Sequence, residues 1–192
     1  MSRTLVQSLL ALLVLSILTG VVYPLVVTGL AQLCCQRQAG GSLLSHGGRL
    51  IGSALLGQPF DQPGYFWSRP SATTPQPYNG LSSSGSNLGP TNPAQFDAVR
   101  ERVRALEQAD PGNPLPIPVD LVTASASGLD PDISPAAAEY QLARVARVRG
   151  VDPARLRALI QAHTQARQWG LFGEPRVNVL ELNLALDELN AR

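Results

Sequence analysis

Residues 5–33 read LVQSLLALLVLSILTGVVYPLVVTGLAQL, and this apolar run decides how the rest of the chain is arranged. No charged residue occurs between Arg3 and Arg37. The hydrocarbon core of a bilayer is about 30 Å thick, so a helix needs about 20 apolar residues to cross it. Because the run is longer than that, it predicts one N-terminal transmembrane helix that crosses the bilayer with room for tilt.

The run does not have the form of a cleaved signal peptide. The apolar region of a signal peptide has about 7–15 residues, and this run is longer. No Ala-x-Ala cleavage site follows it. Leu33, directly before Cys34, also differs from the small residue that a lipoprotein cleavage site requires. We therefore predict an uncleaved signal anchor, kinked at Pro24 because proline cannot donate the helical hydrogen bond.

The charges that flank the run predict its orientation. Arg3 and the α-amine precede it, and Arg37 and Arg49 follow it. Since a three-residue head is easily retained inside, we predict a cytoplasmic N-terminus and an extracytoplasmic C-terminal domain. The chain then divides into a membrane helix, a Gly- and Ser-rich linker and a globular domain, at residues 1–36, 37–48 and 49–192.

Composition excludes several classes of function. The 192 residues include 15 cations and 14 acidic residues, so a net charge of +1 argues against nucleic-acid binding through bulk electrostatics. All the cations are arginine, which excludes a Schiff-base lysine, the Walker A motif and the Asp-Lys-Thr-Gly phosphorylation motif of P-type ATPases. The two cysteines, Cys34 and Cys35, are adjacent and cannot cross-link distant segments.

The domain has the pattern of an α+β fold with about four helices. Three helix starts share a polar cap followed by proline, at Asn92, Ser134 and Asp152, and Asn178 with Glu181 marks a fourth. The second helix is expected to end at Gly150 and the third near Gly170. In the first helix, Phe96, Val99, Val103 and Leu106 predict one apolar face. The runs at 49–56 and 119–124 predict strands.

Residues 62–96 are rich in Ser, Pro, Asn and Gly, a composition typical of disordered linkers. The segment nevertheless carries Tyr65, Phe66, Trp67 and Tyr78, which are aromatic residues of a kind that disordered segments lack. We therefore predict a long ordered loop in which the aromatic residues, at positions 65, 66, 67 and 78, are packed.

No set of residues indicates a catalytic or metal site. Ser86 and Ser127 do not fit the G-x-S-x-G pattern, and the only histidines, His46 and His163, lie far apart in the sequence. The Asp130-Pro131-Asp132 run is interpreted as a turn that leads to the Ser134 cap.

One helix face could bind an anion. Arg144 and Arg147 are three residues apart, Arg149 follows, and Gln141 lies one turn before Arg144. Such a face can contact phosphate in a bidentate manner. The alternative is a solvated or salt-bridged helix face.

The chain resembles the C subunit of the Kdp-type ATP-driven potassium uptake pump over its whole length, including the single span. The most specific runs are Ser-Gly-Ser-Asn-Leu-Gly at 84–89 and Arg-Val-Asn-Val-Leu-Glu-Leu-Asn at 176–183. The other matching stretches are YFW-RPS at 65–71, PYN at 77–79, VD at 119–120, SASGLDP at 125–131 and YQ--RVA at 140–146. Asp132 and Ala166 depart from the family's usual residues.

The resemblance implies a non-catalytic accessory subunit in the bacterial cytoplasmic membrane. Its implied partners are a channel-like potassium-binding subunit, a P-type ATPase subunit, a small single-span subunit and membrane lipid. The resemblance also implies that potassium is the transported ion and that the subunit is needed for assembly and for raising the ATP affinity of the pump. If ATP binds this chain directly, we expect Gln141 and Arg144 to hold it; otherwise the effect is indirect. A membrane-anchored periplasmic enzyme and an adaptor unrelated to transport are the alternatives.

Overall fold

The computed structural model describes residues 2–190, and its N-terminal part is one long apolar helix. Helix α1 (Arg3–Ile17) continues through a π-helical turn (Leu18–Val22) into α2 (Tyr23–Cys34). Within the described residues, Arg3–Cys34 is the one helix long and apolar enough to cross a membrane. The π turn lies at the predicted kink: Tyr23 donates its N–H to the carbonyl of Leu18, five residues back, directly before Pro24.

A short helix and a hairpin follow the long helix. Helix α3 (Gln36–Ala39) is followed by antiparallel strands β1 (Leu43–His46) and β2 (Arg49–Ser53). The glycine pair at 47–48 turns the hairpin with positive φ at both positions. The segment predicted as a linker over 37–48 therefore contains a helical turn and a strand, because β2 supplies a hydrogen-bonding partner that the glycine-rich composition did not reveal.

The remaining elements form a helical domain around a small sheet. The helices are α4 (Pro93–Ala109), α5 (Pro135–Arg149), α6 (Pro153–Ala162) and α7 (Val179–Asn190). Strands β3 (Asp132–Ile133), β4 (Thr164–Gln165) and β5 (Arg176–Asn178) pair antiparallel in the order β3-β5-β4. The predicted α+β class, with one apolar N-terminal helix before a mixed domain, is confirmed.

The predicted caps begin these helices. Asn92, Ser134 and Asp152 each accept a backbone N–H of the first turn, from Ala94, Ala137 and Ala154 respectively. Asn178 accepts the N–H of Glu181 at 3.1 Å. Gly150 ends α5 in the left-handed conformation, with φ of 65°. The sequence predicted these helix starts because a capping residue bonds to a backbone N–H only two or three positions away.

The core lies between the helices and the sheet. Val177 of β5 pairs with Ile133 on one side and Thr164 on the other, and it is fully buried. The inner faces of α5, α6 and α7 pack around it, with Ala137, Val145, Leu156, Leu182 and Leu186 all fully buried. Phe66, from the long loop, enters the same core.

Three expectations about the elements were wrong. Residues 119–121 form a 3-10 helix rather than a strand, because the Asp120 carboxylate turns inward to accept the Ser134 N–H at 2.7 Å. The third helix ends at Ala162, because Thr164 and Gln165 pair with β5 instead of continuing toward Gly170. Phe96 is exposed, so the apolar face of α4 is narrower than its spacing predicted.

Candidate functional site

Gln141 and Arg144 lie one turn apart on the inner face of α5. Only 1% of Gln141 and 2% of Arg144 is exposed to solvent. Both side chains point to residues 63–67 of the long loop, which we call the clamped segment. The structure therefore brings the two predicted nucleotide-binding residues together, but it places them inside the domain.

The Gln141 side-chain amide forms hydrogen bonds with both the N–H and the carbonyl of Trp67. Its Oε1 accepts the Trp67 N–H at 2.7 Å, and its Nε2 donates to the Trp67 carbonyl at 3.2 Å. Nε2 also donates to the Ala137 carbonyl at 3.2 Å, and Oε1 accepts from Arg144 Nη2 at 2.7 Å. These contacts occupy both amide hydrogens and both lone pairs of the side chain.

The Arg144 guanidinium is held by oxygen atoms of the same segment. Nη1 donates to the carbonyls of Pro63 and Tyr65, the latter at 3.1 Å. The guanidinium also stacks over the Trp67 ring, with its carbon 4.5 Å from the ring centroid. Burial lowers the pKa of Arg144 to about 10, so the group remains a cation at neutral pH.

A second buried amide, Asn183 of α7, repeats this arrangement on the preceding residue. Asn183 Oδ1 accepts the Phe66 N–H at 2.9 Å, and Nδ2 donates to the Phe66 carbonyl at 3.0 Å. The backbones of Phe66 and Trp67 are thus each hydrogen-bonded to a side-chain amide, from α7 and α5 respectively. These amides take the place of the backbone groups of a neighbouring strand. Sequence reasoning missed Asn183 as a functional residue, although a lone Asn within the apolar run of α7 was an available signal.

Arg149 and Asp187 contact the clamped segment at Gly64 and Tyr65. Arg149 Nε donates to the Gly64 carbonyl at 2.8 Å, and its guanidinium stacks on the Tyr65 ring at 4.3 Å. Arg149 also pairs with Asp187 at 2.8 Å, and Asp187 accepts the Tyr65 hydroxyl at 3.0 Å. We call Gln141, Arg144, Arg149, Asn183 and Asp187 the clamp.

The third arginine of the predicted anion-binding face is also paired. Arg147 Nη2 lies 2.7 Å from Oδ1 of the buried Asp110. All three arginines of this face are therefore bonded within the domain, which agrees with the alternative of a salt-bridged helix face. To hold a nucleotide, Gln141 and Arg144 would have to release the clamped segment.

The carboxylates at 130–132 line a separate cavity of about 580 Å³. Asp130 accepts the Asp132 N–H at 3.1 Å, which forms the predicted turn, and pairs with Arg69 at 2.8 Å. Asp132 pairs with Arg176 at 3.0 Å. Burial raises the pKa of Asp132, and Arg176 partly opposes that rise. Each of these two carboxylates therefore already has an arginine partner.

The serines and histidines considered as nucleophile and base lie in different segments of the chain. His46 lies in β1, and His163 follows the end of α6. Ser127 accepts the Leu129 N–H at 3.1 Å, and Ser86 is exposed. Within residues 2–190, neither histidine is hydrogen-bonded to either serine, and no group of three metal-ligating side chains occurs.

Comparison with known proteins gives one consistent family. Residues 5–188 match the family model described as KdpC: K+-transporting ATPase, c chain. The chain is 61% identical over 187 residues to the potassium-transporting ATPase KdpC subunit of Variovorax paradoxus, covering 97% of each protein. It is 59% identical over 189 residues to that of Dechloromonas aromatica, covering 98% of this chain and 99% of the relative. The chain therefore belongs to the KdpC family of potassium-transporting ATPase subunits.

Proposed function

We propose that this chain promotes assembly of a potassium pump and raises its ATP affinity through contacts with partner subunits, without binding nucleotide itself. As a family member it is a non-catalytic subunit of a potassium-transporting ATPase complex. The observation that carries the indirect route is the burial of Gln141 and Arg144, whose hydrogen bonds are used within the domain. The family placement favours this role over a periplasmic enzyme or an unrelated adaptor.

The proposed arrangement in the membrane supports the same route. We place the N-terminus in the cytoplasm, the Arg3–Cys34 helix across the cytoplasmic membrane and the domain on the extracytoplasmic side. That side has no ATP pool. The proposed partners are a channel-like subunit that binds potassium, a P-type ATPase subunit, a small single-span subunit and membrane lipid.

An indirect effect on ATP affinity requires only that the chain bind one conformer of the pump better than another. A tenfold change in apparent ATP affinity corresponds to about 1.4 kcal/mol of coupling free energy. A modest protein interface can supply that difference. The clamp contributes by giving the domain one rigid shape, so that preference for a conformer is not lost to loop motion.

The proposal is tested by measuring ATP hydrolysis by the pump with and without this chain. We expect the pump that lacks it to require about tenfold more ATP for half-maximal activity, or to fail to co-purify as a complex. Adding back the full chain should restore both properties. An unchanged ATP requirement in an intact complex without this chain would refute the proposed function.

The orientation is tested separately on intact cells. Trp169 is largely exposed whereas Trp67 is half-buried, so position 169 is the better reporter. A Trp169→Cys variant in a Cys34→Ser, Cys35→Ser background should react with a membrane-impermeant maleimide added outside the cytoplasmic membrane. Reaction only after the cells are lysed would place the domain on the cytoplasmic side.

A further inference from the structure

The segment that follows the long helix is cationic and exposes leucine side chains. No acidic residue precedes Asp61 in the sequence, whereas Arg37 and Arg49 lie between the helix and that position. In the β1–β2 hairpin, Leu43 is 57% exposed and Leu50 is 63% exposed. Exposed leucines beside cations form the kind of surface that anionic lipid headgroups attract, and Arg49 has no ion-pair partner among the described residues.

The hairpin cannot move far from the end of the long helix. From Cys34, a helical turn and six extended steps give a path of at most about 25 Å to Leu43. Hydrogen bonds stiffen this path: Ser42 donates its N–H to the Arg37 carbonyl at 2.9 Å, and Ala54 donates to the Ser42 carbonyl at 3.0 Å. The hairpin therefore stays beside the surface from which the helix emerges.

Contacts with α7 fix the same junction. Arg37 Nη2 lies 3.3 Å from Glu181 Oε1 in the first turn of α7. Gly52 of β2 packs against the neighbouring Leu180, where an added Cβ would come within 3.0 Å of Leu180 Cδ2. The residue next to the membrane helix and the base of the hairpin are thus held at one end of the domain.

The exposed face of the hairpin needs a covering surface. Ser45 pairs with Leu50 and Leu43 pairs with Ser53, with a register irregularity between Leu44 and Ser45, so each strand of the hairpin exposes one leucine. The ribbon has only two strands, and a two-stranded hairpin alone is marginally stable in water. A surface that takes up the two leucines would stabilise it.

We infer that the β1–β2 hairpin lies on the membrane leaflet from which the C-terminal end of the long helix emerges. Leu43 and Leu50 enter the boundary between headgroups and acyl chains, and Arg49 contacts the phosphates of anionic phospholipids. Arg37 keeps its ion pair with Glu181 and adds positive charge beside the same surface. The chain then has two attachments to the membrane, and the second one fixes how the domain is tilted over its partners. This inference does not depend on which side of the membrane the domain occupies.

The test places a nitroxide label at position 50 of the full chain and measures its collisions with oxygen and with a water-soluble nickel chelate. Leu50→Cys is made in a Cys34→Ser, Cys35→Ser background and labelled before reconstitution into vesicles of phosphatidylcholine and phosphatidylglycerol. The matched control is Leu81→Cys, because Leu81 is 99% exposed and lies outside the hairpin. Unchanged circular dichroism and melting temperature confirm that each labelled chain is folded.

We expect the label at position 50 to collide more with oxygen, and the label at position 81 to collide more with nickel. The same difference should persist after the labelled chain is assembled with the other pump subunits. Nickel access at position 50 equal to that at position 81 would overturn the inference. Loss of both oxygen and nickel access only in the assembled pump would also overturn it, since a protein partner would then cover the hairpin.

The contribution of the Arg49 charge to lipid binding is measured separately. Arg49→Gln should reduce the leaflet-bound population of the label at position 50 about fivefold in vesicles that contain phosphatidylglycerol, and much less in pure phosphatidylcholine. High salt should have the same effect as the substitution because it screens the headgroup charge. An equal response in both lipids would overturn the role assigned to anionic phospholipid.

Discussion

Replacing Arg144 by alanine should destabilise the domain by about 4 kcal/mol, because it removes the buried cation that holds residues 63–67 against α5. The substitution leaves the carbonyls of Pro63 and Tyr65 without the Arg144 donor, and Gln141 Oε1 keeps only the Trp67 N–H. Each hydrogen bond to a charged donor contributes about 1.5–3 kcal/mol, and the released cost of burying the guanidinium offsets part of the sum. For a domain of this size, the melting temperature should fall by about 8–16 °C.

Thermal unfolding of the full chain in detergent provides the assay. Trp67 lies against the Arg144 guanidinium, so its fluorescence also reports local release of the clamped segment. Arg104→Ala is the matched control because Arg104 is an exposed arginine on α4, and it should change stability by less than about 0.5 kcal/mol. Equal melting temperatures for the two variants, with a raised ATP requirement only for Arg144→Ala, would refute the structural role and favour direct nucleotide contact.

Three further predictions concern other parts of the chain. Burial raises the pKa of Tyr78 to about 12, and its hydroxyl donates to the Arg69 carbonyl; Tyr78→Phe should cost about 1–3 kcal/mol in thermal unfolding, and an unchanged melting temperature would contradict this. Burial raises the pKa of Asp132 above its unfolded value, so its contribution to stability should decrease as pH rises from about 4. The melting temperature of wild type minus that of Asp132→Asn should therefore fall between about pH 4 and the native pKa, and a flat difference would contradict the assignment. Replacing residues 5–33 by polyleucine should release the chain from the pump, since the small residues and the π turn favour close helix contact; intact co-purification would show that the helix is only an anchor.

The helix starts could be predicted from sequence because their determinants are local. At Asn92 and Ser134, the cap and the following proline act within three residues, and the structure shows the expected hydrogen bonds. The ends were less predictable. The pattern that suggested a helix up to Gly170 was overridden by pairing of Thr164 with β5, whose partner Val177 is 13 positions away in sequence.

The long loop and the clamp were also only partly predictable from the sequence. Its aromatic content predicted packing, and Phe66 is indeed fully buried, whereas the neighbouring Trp67 is only half-buried against Arg144. The partners that hold these residues are 74 and 117 positions away, at Gln141 and Asn183. Side-chain chemistry identified Gln141 and Arg144 as unusual, but only the three-dimensional packing shows that both side chains are hydrogen-bonded to backbone groups of residues 63–67.

Calorimetric titration of ATP against the full chain in detergent micelles, alongside the Gln141→Ala variant, tests most directly whether this subunit binds nucleotide. If Gln141 and Arg144 serve the clamp and control of ATP use is indirect, no saturable binding will be observed up to millimolar ATP for either protein. Saturable binding to the wild-type chain that weakens in Gln141→Ala would contradict the central claim and assign the nucleotide to this subunit.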